Sequence, residues 1–239
     1  MLLSIVVPAF NEEGYLGETL AHLKRAKALL PRDIQTEIIV VDNGSDDSTV
    51  AIALALGVTV TREVVHNLAT VRNTGARFSK GDVIVFVDAD TLVPDNLLSR
   101  VIDEMSDEDC FGGAVDADYR PGKVTVNAYL QIWRIIGKAM RMAQGATQFY
   151  RRRVFFNLNG YDETLFMGED VDLYWRLMRY AKRHDGRVTF IEDIKVVPST
   201  RRFDKWRFWR TLVWTNPLFI LMFRRNKKCW RGWYRAVPR

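Results

Sequence analysis

Residues 83–87 read Val-Ile-Val-Phe-Val, and the next three are Asp88-Ala89-Asp90. An apolar run that does not alternate is a strand covered on both faces, as in a parallel sheet between two helical layers. Two carboxylates spaced by one residue repel each other. At the end of a buried strand they call for a counter-cation, and Mg²⁺ or Mn²⁺ takes oxygen ligands. A plain surface turn is the alternative for this tripeptide.

The chain around this strand alternates two periodicities. Ser4–Pro8 is apolar and strand-like, and Pro8 is expected to stop it. Glu12–Leu30 carries Leu16, Leu20, Leu23 and Leu30 on one helical stripe. A second buried strand is expected over Glu37–Val41, and a helix over Asp46–Leu56 capped by Ser45 or Asp46. Val58–Thr61 reads as a strand, with helices at Ala69–Phe78 and Asp95–Met105. The repeated strand–helix order predicts an α/β fold with an open, mostly parallel sheet and helices on both sides. The second half is less regular. Strands are expected at Phe111–Ala117, Thr147–Tyr150, Val188–Phe190 and Lys195–Val197. Helices are expected at Val124–Met142 and at Asp170–Lys182, the latter with Val171, Tyr174, Trp175 and Met178 inward.

Ligands of open α/β sheets bind at the carboxyl ends of the strands. Three further acidic sites fall at such ends or at a helix start. Pro8-Ala9-Phe10-Asn11-Glu12-Glu13 places Glu12 near a helix N-terminus, where an acidic residue can also be a simple cap. Asp42 in Val41-Asp42-Asn43-Gly44-Ser45 can accept hydrogen bonds from a base or a ribose, or merely close a turn. In Gly168-Glu169-Asp170-Val171-Asp172, Glu169 or Asp170 can take a proton from an attacking hydroxyl, or cap the helix.

Taken in order, these stretches resemble the inverting glycosyltransferase family 2, of GT-A (Rossmann-like) fold. The matching residues are Ser4-Ile-Val-Val-Pro-Ala-Phe-Asn-Glu12, Val41-Asp42-Asn-Gly-Ser45, Arg72-Asn73-Thr-Gly75, Asp88-Ala-Asp90 and Gly168-Glu-Asp170. Phe149-Tyr-Arg-Arg152 through Gly160-Tyr161-Asp162 is a weaker match, and the likeness covers about residues 2–200. The resemblance implies a nucleotide-sugar donor, usually UDP-linked, and a divalent cation, Mn²⁺ or Mg²⁺. It implies that Pro8, Phe10 and Glu12 line the nucleotide pocket, Asp42 binds the base and Arg72 contacts the nucleotide. Asp88 would meet ribose or metal-bound water, and Asp90 would ligate the metal. Asp170 would be the catalytic base, with Glu169 shaping the acceptor pocket. The Gln-x-x-Arg-Trp signature of processive synthases is not found, which points to single-sugar transfer. Arg201 and Arg202 are the candidates to fold over the diphosphate, since a guanidinium offers a bidentate fork to phosphate; a solvated basic turn is the alternative. His66 and His184 are not counted as metal ligands.

Charge divides the chain. The net charge is +6, yet Pro198–Arg239 holds twelve Lys/Arg and a single Asp, which is +11 and leaves the first 197 residues at −5. In that segment Lys205-Trp206-Arg207-Phe208-Trp209-Arg210 precedes the apolar stretch Leu212–Phe223, then Arg224-Arg225-Asn226-Lys227-Lys228 and Trp230-Arg231-Gly232-Trp233. Interleaved Trp and Arg about a short apolar run fit an interfacial anchor on an anionic membrane surface. The run can instead pack on the domain or form a dimer contact. The partition expected is a catalytic domain over 1–200, its nucleotide half 1–95 and acceptor half 96–200, with a basic aromatic tail over 201–239. A membrane anchor would make a lipid-linked acceptor of cell-envelope glycan synthesis suitable. Cys110 and Cys229 lie far apart, and no secretory signal is recognised before Leu2, so a cytoplasmic protein, peripheral on the membrane, is expected.

Three rival functions are weaker, and against one of them, a catalytically dead glycosyltransferase-like binding module, count the intact Asp88/Asp90 and Glu169/Asp170 pairs. A nucleic-acid-binding protein would explain the tail, but phosphates would be repelled by the four acidic sites, so no nucleic acid is expected. A nucleotidyltransferase of similar fold would want a Gly-rich loop with Arg and Lys after the first strand, and none is found.

Overall fold

The computed structural model describes residues 1–143 and 145–230. Among these residues the strands are β1 Leu2–Ala9, β2 Gln35–Asp42, β3 Thr59–Arg62, β4 Val83–Val87, β5 Thr91–Leu92, β6 Cys110–Ala117, β7 Thr147–Arg151 and β8 Arg187–Pro198. The helices are α1 Leu16–Ala28, α2 Thr49–Ala55, α3 Leu68–Phe78, α4 Leu97–Met105, α5 Val124–Ala139, α6 Arg152–Asn157, α7 Glu169–Arg183, α8 Arg201–Lys205, α9 Phe208–Trp214 and α10 Pro217–Phe223. Arg231, Gly232 and Trp233 of the tail motif lie outside the described residues.

The sheet runs β3-β2-β1-β4-β7-β6-β8-β5. Its first half is parallel, with β1 between β2 and β4. Strand β7 then runs antiparallel to both β4 and β6, so the whole sheet is mixed. Successive side chains leave a strand on opposite faces. Hence Val83, Val85 and Val87 join one core with Leu16, Leu20 and Leu23 of α1 and Leu97, Leu98 and Val101 of α4. Ile84 and Phe86 join another with Ala69, Val71 and Ala76 of α3 and Leu173 and Leu177 of α7. Each fully buried Val, Ile or Leu contributes about 1.5–3 kcal/mol by leaving water, and this two-sided burial is what the unbroken apolar strands encode.

Several expectations shift in detail. Pro8 does not end the first strand, which continues to Ala9. Helix α1 begins at Leu16 rather than Glu12, because Asn11 takes a left-handed turn at φ +54°. Helix α2 is capped at Ser48. On α7 the buried residues are Glu169, Leu173, Tyr174, Leu177 and Ala181, whereas Val171, Trp175 and Met178 are only half buried. Two short strands expected near the end of the domain are one strand, β8. Its residue Ile191 pairs with Val115 and Lys195 with Asp116, so 192–194 bulge out between them.

Candidate active site

A cleft of about 1180 Å³ opens at the carboxyl ends of β1 and β4. Four segments bring side chains to it, each for a local reason. Asn11 turns the chain after β1; its side chain accepts from the Asp46 N–H at 2.9 Å, while the Glu12 N–H donates to Thr49 Oγ1 at 2.8 Å. Glu12 is thereby fixed at 9% exposure beside the strand end. Helix α3 lies flat on β1 and β2 because Gly75 has no side chain; a Cβ there would stand 2.8 Å from Val41 Cγ2. That close approach presents Arg72, one turn earlier, to the site. Strand β4 delivers Asp88 and Asp90. Helix α7 starts after Gly168, whose φ of +74° suits glycine, and its first turn carries Glu169 and Asp170.

Arg72 is 1% exposed and connects two of these segments. It donates to Asp88 Oδ1 at 2.8 Å and to Glu169 Oε1 at 2.8 Å, and also to the Gly145 carbonyl at 3.2 Å. A second buried guanidinium, Arg201, donates to both carboxylate oxygens of Glu12, at 2.7 and 2.5 Å, and lies 3.2 Å from Asp90 Oδ2. It also stacks 4.3 Å above the Tyr15 ring. Two arginines thus offset four converging carboxylates.

The electrostatics remain strained towards protonation. Burial, then repulsion from Glu12, pushes the Asp90 carboxyl up to about 7 despite Arg201. Burial also raises Glu169, with repulsion from Asp170 adding to it, and raises Asp170 against the pull of Arg72. A carboxylate made more basic in this way is suited to proton abstraction near neutral pH.

Pro8, Phe10, Glu12, Arg72, Asp88, Asp90, Glu169, Asp170 and Arg202 all line this one cleft. Asp42 does not; its carboxylate accepts the backbone N–H groups of Gly44 at 3.2 Å and Ser45 at 3.0 Å. Arg201 does not line it either, being turned onto Glu12. The cleft also holds His66, set aside above as a metal ligand, and Asp116, which the sequence reading did not single out. His66 packs on Phe10 with ring centroids 5.0 Å apart and bonds Asn43 Oδ1 at 3.1 Å. His184 stacks on Tyr180 and is not among the lining residues. Asp116, 3% exposed, is held by Arg134 and by Lys138 at 3.5 Å. It carries the same signal as Asp88, a carboxylate closing an apolar strand.

Among the described residues no group of three or more His, Cys, Asp and Glu side chains could enclose a metal ion unaided. The donor set on offer is Asp88, which meets Arg72 through Oδ1, and Asp90, which meets Arg201 through Oδ2. A pair of carboxylates on an open cleft fits a cation that completes its shell from substrate phosphates. The residues present therefore fit a divalent ion finished by a diphosphate.

The mixed sheet with its carboxylate-rich cleft at the strand ends has the GT-A fold, as the superpositions below bear out. The family model for glycosyl transferase family 2 matches residues 4–161, and the chain belongs to that family. Glycosyltransferase AglE of Haloferax volcanii is 27% identical over 205 residues, 80% of this chain and 64% of its own length. The undecaprenyl-phosphate 4-deoxy-4-formamido-L-arabinose transferase of Klebsiella pneumoniae is 30% identical over 179 residues, 69% of this chain and 53% of its own. The chain spans between 23% and 64% of the length of curated relatives such as these. Among solved structures, mannosyltransferase PcManGT of Pyrobaculum calidifontis, in complex with GDP-Man and Mn²⁺, superposes with a TM-score of 0.67 at 21% identity, covering 87% of this chain and 59% of that one. Glucosyl-3-phosphoglycerate synthase of Mycobacterium tuberculosis, in complex with Mn²⁺ and UDP-Glc, gives 0.63 at 18% identity, covering 93% and 78%.

Proposed function

We propose that the chain moves a single sugar from a nucleoside-diphosphate sugar, UDP-linked, to an acceptor hydroxyl with inversion. The observation that carries this reading is the convergence of Asp88, Asp90, Glu169 and Asp170 on one cleft, bridged by buried Arg72. The donor half, residues 1–95, would hold the nucleotide between Phe10 and the end of β2, and residues 96–200 would hold the acceptor. Asp90, with Asp88, would hold Mn²⁺ or Mg²⁺, which when bound supplies positive charge to the departing diphosphate. Asp170 accepts the acceptor hydroxyl proton as the acceptor oxygen bonds to the anomeric carbon. The bond from that carbon to the diphosphate breaks, and its electron pair leaves on the diphosphate oxygen. Arg202, one of the cations that line the cleft, would meet that charge. Glu169, paired with Arg72, shapes the acceptor side. The Klebsiella pneumoniae relative named for undecaprenyl phosphate supports a lipid-linked acceptor, and the basic tail supports work at the cytoplasmic face of a membrane. Among the described residues no helix is long and apolar enough to cross one.

The test is a thermal-shift screen of nucleotide diphosphates and their sugars, with and without Mn²⁺. UDP is expected to stabilise the fold only with metal present. Asp90→Asn should abolish that metal dependence. Asp170→Asn should keep the shift and lose transfer; retained transfer would remove Asp170 from the role of base. Absence of any stabilising nucleotide would remove the transferase reading itself.

A further inference from the structure

Exposed apolar side chains are scattered over the fold, among them Leu29, Leu54 and Val64, but they adjoin one another on three helices at the mouth of the cleft. Helix α5 exposes Ile132 at 57% and Ile135 at 70%. Helix α10 buries none of its residues, and Leu218 and Met222 are 73% and 74% exposed. On α9 Trp209 is 60% exposed. Single exposed apolar residues are ordinary, but a run of them across adjoining helices marks a surface that meets something. The helices adjoin: Tyr129 of α5 bonds Thr215 at 2.9 Å and packs on Phe208 of α9, and Lys123 donates to the Trp206 carbonyl at 2.9 Å. Arg207, Arg225, Lys227 and Lys228 are exposed beside them. Other side chains of the same helices, Leu130 and Trp133, Trp214, and Leu221, line the cleft together with Asp170.

We propose that α5, α9 and α10 form one docking rim for an anionic lipid bilayer, across which the head group of an amphiphilic acceptor reaches Asp170. Trp at headgroup depth, aliphatic rows below it and cations beside them match the layering of such a surface. A nucleic acid or an acidic protein would pair with the cations and leave the aliphatic rows of α5 and α10 in water. The rim adds α5, a helix of the catalytic domain, to the tail and so fixes the direction in which the cleft opens. The acceptor's part in this rests on the transferase reading; the docking does not.

The full chain is floated with vesicles of phosphatidylcholine, alone or mixed with phosphatidylglycerol, and its thermal shift with UDP and Mn²⁺ is read separately. Wild type is expected to bind the mixed vesicles more tightly, and less so as salt rises. Ile132→Glu with Ile135→Glu, neither on the cleft wall, should weaken vesicle binding by about tenfold or more with the nucleotide shift unchanged. Ile135→Ala, which adds no charge, should give a smaller loss in the same direction. Vesicle binding by both variants equal to wild type overturns the proposal, as does equal binding of wild type to both vesicles at all salt concentrations. If vesicle binding behaves as stated but no nucleotide shift is seen, the rim stands and the transferase reading falls.

Discussion

Asp90 lies between Glu12 and Arg201 with its carboxyl raised to about 7 from 3.8. In the unliganded protein the folded state holds a proton that the unfolded chain has released above pH 4. Stability from this group is therefore greatest at low pH and declines as pH rises towards 7. A cation reverses the preference, because it binds the carboxylate form and expels the proton. Mn²⁺ affinity, followed by calorimetry, is thus expected to strengthen as pH climbs to about 7 and level off above it; in Asp90→Asn that pH dependence should vanish. Arg72 makes a second prediction. Its replacement by Met leaves buried Glu169 and half-exposed Asp88 without their counter-charge, a loss on the order of 3 kcal/mol that urea unfolding should register. The carboxylates were legible in the sequence because each closes an apolar strand or opens a helix. The grip of Arg201 on Glu12 was not, since the two are 189 positions apart and nothing local in either segment announces the other. Asp42 could be read equally as a base contact or a turn, and here its oxygens are engaged by the turn.

Among the elements, the parallel half of the sheet was readable because both faces of β1, β2 and β4 are covered, which writes continuous apolar runs. Strand β7 was recognisable as a strand, but its antiparallel insertion between β4 and β6 depends on long connections that carry no directional signal. The bulge at 192–194 interrupts the pattern of β8, so one strand reads as two. On α7 the expected inward face was partly rotated: Trp175 and the neighbouring Val171 face the cleft rather than the core, and an apolar side chain does not declare which of the two it lines. The start of that helix is its most sensitive point. Gly168→Ala must hold φ +74° with a Cβ, at a cost of about 1–2 kcal/mol. A relaxed turn would swing Glu169 and Asp170. The expected outcome is a fall in kcat larger than any change in donor KM, with a modest drop in melting temperature.

For the molecule as a whole, the charge asymmetry between an acidic body and a basic final segment does not coincide with a structural boundary. Arg201 stands first in the segment that sequence alone assigns to the tail, yet it is 7% exposed between Glu12 and Asp90. Two shortened chains separate its roles. One ending after Lys205 keeps the Arg201 clamp and should retain nucleotide- and Mn²⁺-dependent stabilisation while losing the lipid-facing helices. One ending after Thr200 should lose the same helices and also melt lower without ligand, because Glu12 and Asp90 then repel each other unrelieved, and Mn²⁺ should raise its melting temperature by more. Thermal shift with UDP and Mn²⁺ distinguishes the two. The same clamp has a bearing on biosynthesis. Glu12 leaves the ribosome 189 residues ahead of its counter-charge, Arg201. Until then the nascent domain carries an uncompensated acidic pocket, so this cleft is completed only once Arg201 has been made rather than when its first strands collapse.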